Sequence, residues 1–159
     1  ETDLDAMIPD EFVRNISERL SLYSELARLK TPEQLVEFKI GLRDRFGPLP
    51  RQVERLLDSV KLKWLGEQTG FEKINFKNNK LSGTFITDDS FFKSEAFSQI
   101  IQVIQTHPRA YALKQNRHQL MLICEGVEDV KEAINRLVRL SKPEEKDKPL
   151  EVQTNEFQK

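Results

Sequence analysis

Ile74-Asn75-Phe76-Lys77-Asn78-Asn79-Lys80-Leu81-Ser82-Gly83-Thr84-Phe85 is where the chain changes period. Ile74 and Phe76 alternate with polar residues, and Leu81, Gly83 and Phe85 alternate beyond Asn78-Asn79. Alternation marks strands with one buried face, and paired asparagines tolerate the left-handed backbone of a tight turn. The stretch reads as a β-hairpin. From about Asn15 to Thr69 the spacing before it is helical, so this hairpin is where the chain becomes α+β.

Working back toward the N-terminus, Thr31-Pro32-Glu33-Gln34 is a helix start. Threonine caps, proline suits the first helical position, and Gln34 completes a capping-box spacing. Leu35, Phe38, Leu42 and Phe46 then recur at helical intervals until Gly47, whose freedom at positive φ offers a left-handed stop. Pro48 and Pro50 stiffen the joint to a third helix that runs to about Thr69 and closes at Gly70, with Val53, Leu57, Val60 and Trp64 inward. A first helix from about Asn15 places Ile16, Leu20, Tyr23 and Ala27 on one face and Leu22, Leu26 and Leu29 on another, the pattern of a helix packed on two sides. Residues before it, with Met7, Ile8 and Phe12 around Pro9, read as extended.

Beyond the hairpin, Ser94 caps a helix carrying Phe97, Ile100, Ile101 and Ile104 that ends before Pro108. A second strand pair is expected over 110–114 and 119–125, and a last helix after Gly126 carries Val127, Val130, Ile134, Leu137 and Val138. Hairpin-then-helix thus occurs twice. The expected fold is α+β: three N-terminal helices followed by ββαββα, with a four-stranded, largely antiparallel sheet backed by helices. One compact domain is expected over 1–141. The run Ser141-Lys142-Pro143-Glu144-Glu145-Lys146-Asp147-Lys148-Pro149 alternates charge without core residues, so 142–159 is expected to be a disordered tail.

Composition narrows the function classes. The 159 residues balance 25 Lys and Arg against 26 Asp and Glu, without the basic excess of a nucleic-acid binder. One cysteine makes neither an internal disulfide nor a thiolate metal site. No apolar run approaches the roughly 20 residues of a membrane span, and no basic-then-apolar leader is present. A cytoplasmic setting is expected. The chain starts at Glu1 without methionine, as a piece of a longer protein would.

Catalytic chemistry is hard to find. The six glycines form no phosphate-cradling loop and no Walker lysine is present, so this piece is not expected to hydrolyse ATP. His107 and His118 lack local partner ligands and read as loop residues. Cys124, after Met121, Leu122 and Ile123, reads as a buried thiol with a raised pKa. Asp88-Asp89 and Glu144-Glu145 are loop carboxylates without an enclosing site.

Two charged patterns remain. At about 100° per residue, Glu33, Glu37 and Asp44 fall within about 40° of one another, opposite the Leu35/Phe38/Leu42/Phe46 seam. A solvated face and a docking surface for a basic partner both satisfy that geometry, and Gly41 on the same helix suits close approach of another surface. On the third helix Arg51, Arg55, Lys61 and Lys63 are interrupted by Leu62 and offset by Glu54 and Asp58, which reads as a solvated face.

Asp44-Arg45-Phe46-Gly47-Pro48-Leu49-Pro50, taken with Ile8-Pro9-Asp10-Glu11-Phe12-Val13, with Arg19-Leu20 followed by Tyr23, and with Leu56-Leu57, resembles the C-terminal domain of the bacterial transcription-repair coupling factors. The resemblance runs from about Ile8 to Leu140 and is specific in order and spacing up to Gly70. It implies a non-catalytic regulatory domain of an ATP-dependent DNA translocase that dislodges stalled RNA polymerase and recruits excision repair. ATP and magnesium would then bind motor domains of the parent, and no cofactor or metal would bind here. The implied partner is the parent's own UvrB-like module, which this domain would cover so as to mask the UvrA-binding surface. UvrA, RNA polymerase and DNA would be reached only through the parent, with no direct nucleic-acid or membrane contact. Asp44 carries over to the family's acidic docking residues, whereas the glutamate common three positions earlier is Gly41 here. Glu33 and Glu37 are our own additions to that docking set, and Asp44, Arg45, Phe46, Gly47, Pro48 and Pro50 form the family motif that shapes the joint. The alternative is an accessory nucleic-acid-binding module of the same motor.

Overall fold

The computed structural model describes residues 6–141. It is α+β, in the order α1 (Ile16–Arg28), α2 (Pro32–Phe46), α3 (Arg51–Thr69), β1 (Phe71–Lys77), β2 (Lys80–Phe85), α4 (Asp89–Phe92), α5 (Glu95–Thr106), β3 (Ala112–Asn116), β4 (Gln119–Glu125) and α6 (Val130–Ser141). The packing falls into two compact units, one ending at Lys61 and the other beginning at Leu62. The tail expected over 142–159 lies outside the described residues.

The first unit is built by local staples. Asn15 caps α1 by accepting the Glu18 amide at 3.0 Å. The leading segment is tied back to that helix: the Ile8 amide donates to Tyr23 Oη at 2.8 Å, and Arg19 Nη1 donates to the Val13 carbonyl at 2.7 Å. These bonds seat Ile8 and Val13 in the core, 2 % and 1 % exposed. α2 starts at a reciprocal capping box between Thr31 and Gln34 and buries Leu35, Phe38 and Leu42. It ends where Gly47, at φ 93°, returns its amide to Arg43. The two-sided packing expected for α1 is not found. Leu22 and Leu26 are buried, while Ile16 and Leu20 remain 65 % and 62 % exposed. Apolar spacing marks which residues share a face; it does not provide an element to cover that face.

α3 changes its buried face along its length. Val53 and Leu57 are buried as expected, but Val60 and Trp64 are only half-buried. Beyond Lys61 the helix takes up with the second unit, and Leu62, Gly66 and Thr69 are the buried positions.

In the second unit the hairpin is as read: Asn78 and Asn79 adopt φ 53° and 58°, the conformation of a type I′ turn, and Lys77 pairs with Lys80. The sheet has the order β1-β2-β4-β3 and every pair is antiparallel. A bulge between Phe71 and Lys73 sets Phe71 opposite Phe85. Three elements differ from expectation. β3 starts at Ala112, because the His107 carbonyl accepts the amides of Ala110 and Tyr111 and holds them in a turn. α6 starts at Val130 because Asp129 captures the Glu132 amide at 2.8 Å. α4 is an additional single turn, capped where Asp88 accepts the Ser90 amide.

Candidate interaction surface

The surface singled out in the sequence is the outer side of α2. Its capping box and Gly47 stop fix the helix ends, and Leu35, Phe38 and Leu42 hold its inner side. Glu33, Glu37 and Asp44 are all exposed. Helical geometry sets Val36 and Ile40 beside that acidic stripe, and they are 52 % and 50 % exposed. This apolar pair was missed in the sequence. Its signal was present, since both residues fall outside the Leu35/Phe38/Leu42 seam by helical angle.

The family motif leads from this face into the joint. Asp44 faces solvent. Arg45 instead turns back, pairing through Nη2 with Glu18 Oε2 at 2.8 Å and lying 4.8 Å over the Phe46 ring. Phe46 rests against Phe12 with ring centroids 5.6 Å apart. Pro48 is exposed, and Pro50 gives its carbonyl to the amides of Val53 and Glu54 at the start of α3. Of the charged motif residues, Arg45 is paired and Asp44 has no ion pair among the described residues.

Gly41 meets no packing demand. A Cβ built there has nothing within 4 Å, and its φ lies outside the left-handed region. Gly41→Ala is therefore expected to stabilise the chain by about 1 kcal/mol through helix propensity, raising the thermal midpoint by about 2–4 °C in calorimetry.

The remaining reactive groups do not converge. His107 Nδ1 lies 3.1 Å from the Val103 carbonyl, and His118 is exposed in the β3–β4 turn. Among the described residues no three His, Cys, Asp or Glu side chains gather as metal ligands. No described helix is long and apolar enough to cross a membrane. Arg51, Lys61 and Lys63 are exposed on α3 and Arg55 is half-buried.

Cys124 is fully buried on β4. Burial pushes its thiol from 9.0 up to about 11, against a smaller downward pull from Arg136. Nearby, Tyr111 donates through Oη to the Arg136 carbonyl at 2.8 Å, and its hydroxyl is also raised, by burial first and then by Cys124. The unfolded chain releases the thiol proton first, so it binds fewer protons between about pH 9 and 11. Stability from the neutral thiol is complete below that window and is lost as pH rises through it. Native protein is expected to resist Ellman's reagent at neutral pH and to react fully in denaturant.

Comparison with known proteins places this chain in a family. The model of the TRCF domain matches residues 2–95. A transcription-repair-coupling factor of Escherichia coli is 31 % identical over 113 residues, 71 % of this chain and 10 % of the relative. One from Staphylococcus epidermidis is 37 % identical over 81 residues, 51 % of this chain and 7 % of the relative. The chain thus spans a tenth or less of the length of these relatives. A crystal structure of the C-terminal domain of a transcription-repair coupling factor shares the fold, with a TM-score of 0.72 at 16 % identity over 91 % of this chain and 94 % of the other. With a family model matched across more than half of its length, this chain belongs to the TRCF domain family of the transcription-repair coupling factors.

Proposed function

We propose that the chain is a non-catalytic regulatory domain of a cytoplasmic, ATP-driven DNA translocase that displaces stalled RNA polymerase and recruits excision repair. In this reading it acts as an intramolecular clamp. It docks on the parent's UvrB-like module and masks the surface that UvrA would bind, while ATP and magnesium act in motor domains outside this chain. The observation that carries the reading is the outer side of α2, where Glu33, Glu37 and Asp44 flank the exposed Val36 and Ile40 on a helix capped at both ends. An apolar centre with a charged rim is the usual layout of a specific interface.

The energetic demand on such a clamp is small. Holding it 99 % closed takes about 2.7 kcal/mol, within reach of an apolar pair and a few ion pairs of about 0.2–1 kcal/mol each. A latch of that strength opens readily, and its charged part weakens as salt rises.

The test is titration calorimetry of this chain against the UvrB-like module of its parent. The double reversal Glu37→Lys/Asp44→Lys is expected to weaken binding by about tenfold or more, with an unchanged circular dichroism spectrum. Affinity that survives the double reversal at low salt would remove the α2 face from the interface. Salt-sensitive duplex binding by the isolated chain would instead favour the nucleic-acid alternative.

A further inference from the structure

β3 ends the sheet order β1-β2-β4-β3, and all five of its residues are exposed. Open strand edges pair readily with other strands, so folds commonly blunt them with bulges, lysines or a covering element. The opposite edge is blunted in this way: β1 carries the bulge between Phe71 and Lys73, with Lys73 and Lys77 along it. β3 instead pairs with β4 in unbroken register, from Ala112 opposite Ile123 to Asn116 opposite Gln119. Asn116 and Gln119 flank the two-residue turn at Arg117-His118, so their backbones bond each other, and alternation commits Ala112, Lys114 and Asn116 to β4. The amides and carbonyls of Leu113 and Gln115 are therefore directed outward along the free edge. Leu113 lies opposite the buried Leu122 on the core side of the sheet, yet it is 38 % exposed. The core side has an apolar position at this edge that nothing among the described residues covers.

We propose that the chain's own segment Leu150-Glu151-Val152-Gln153 adds to this edge as a fifth strand, antiparallel to β3, with Val152 beside Leu113 and Leu150 beside Gln115. Composition reads 142–159 as a tail, but within it Leu150 and Val152 alternate with Glu151 and Gln153, the period of a strand with one apolar side. In this register Leu150 and Val152 fall on the side of Leu113 and extend its apolar surface. Glu151 falls beside the exposed Lys114 on the other side, a cross-strand pair of opposite charge. The backbone matches as well. Val152 and Leu150 supply the amides and carbonyls that Leu113 and Gln115 lack, and Pro149, which has no amide to give, precedes the strand where proline is tolerated.

The tether is long enough. α6 stands beside the entry to β3, where Tyr111 Oη donates to the Arg136 carbonyl at 2.8 Å and Arg136 Nη1 donates to the Ala110 carbonyl at 2.7 Å. Ser141 is about 7.5 Å farther along that helix. Residues 142–149 span up to about 26 Å when extended, more than the roughly 17 Å of β3 itself. The edge is thus a binding site for an extended strand, and the chain carries a strand that fits it. The inference does not depend on the reading of the α2 face.

Hydrogen exchange of the full chain, followed residue by residue by NMR, is the test. The Leu113 and Gln115 amides are expected to exchange at least about tenfold more slowly than in Val152→Pro, which removes one strand amide. Gln153→Pro is expected to keep that protection, because the Gln153 amide points away from β3. Exchange at Leu122 is expected to be the same in all three chains, which reads the fold separately from the edge. A close Hα–Hα contact between Lys114 and Glu151 is expected in the nuclear Overhauser spectrum, since Cα atoms of such a pair approach to about 4.5 Å. Equal exchange at Leu113 and Gln115 in the full chain and in Val152→Pro would overturn the proposal. So would protection that grows with protein concentration alongside a doubled mass in sedimentation, which would give the edge to a second copy of the chain.

Discussion

Phe85→Ala is expected to lower the stability of the second unit by about 3–5 kcal/mol, the range for removing a fully enclosed aromatic ring. Phe85 has no exposed surface. It ends β2, and three other rings converge on it: Phe71 at 4.5 Å between centroids, Phe97 at 5.5 Å edge-on, and Phe91 at 6.0 Å. Phe71 comes from β1, Phe91 from α4 and Phe97 from α5, so one side chain joins four elements. Truncation removes its transfer free energy and leaves a cavity that rings anchored on different elements cannot close together. Urea unfolding followed by Trp64, the single tryptophan, reads the loss. A loss below about 1 kcal/mol would mean that the ring cluster repacks freely.

Gly70→Ala is the second large effect, at about 2–4 kcal/mol. Two independent causes add. The residue holds φ 100°, a conformation that disfavours any side chain, and a Cβ there would run into the Phe91 ring. Its backbone is also committed: the amide donates to Glu67, and the carbonyl accepts the Ile86 amide at 2.9 Å, joining the end of α3 to the end of β2. Gly126→Ala separates the causes. Gly126 holds φ 71° but has open space around it, so its substitution is expected to lose only about 1 kcal/mol. Equal losses at the two glycines in urea unfolding would remove the ring contact from the account.

Much of this fold was legible because its boundaries rest on local chemistry. Thr31 with Gln34, Ser94, Gly47, Gly70 and the Asn78-Asn79 turn each act within a few residues, and each appears where the sequence places it. The departures came from interactions that compete with local pattern. The His107 carbonyl delayed β3, and Asp129 took over the start of α6. The exposed stripe on α1 has a different cause: periodicity reports which side chains are neighbours, while coverage depends on elements distant in sequence.

The candidate site divides the same way. The acidic stripe belongs to one helix and follows from its angular spacing alone. Exposure was not legible from spacing alone: Val36 and Ile40 are as apolar as the inner residues of α2, and only the burial of Leu35, Phe38 and Leu42 shows that they are left outside.

The enclosed thiol on β4 has a practical consequence for testing the proposed docking. Because Cys124 is the chain's single cysteine and has no exposed surface, it stays silent toward maleimide and methanethiosulfonate reagents in the native protein. A cysteine introduced at the half-exposed Ile40 would then be the sole reactive handle on the folded chain. A fluorophore or nitroxide attached there would report whether a partner covers the α2 face without first removing a residue of the core.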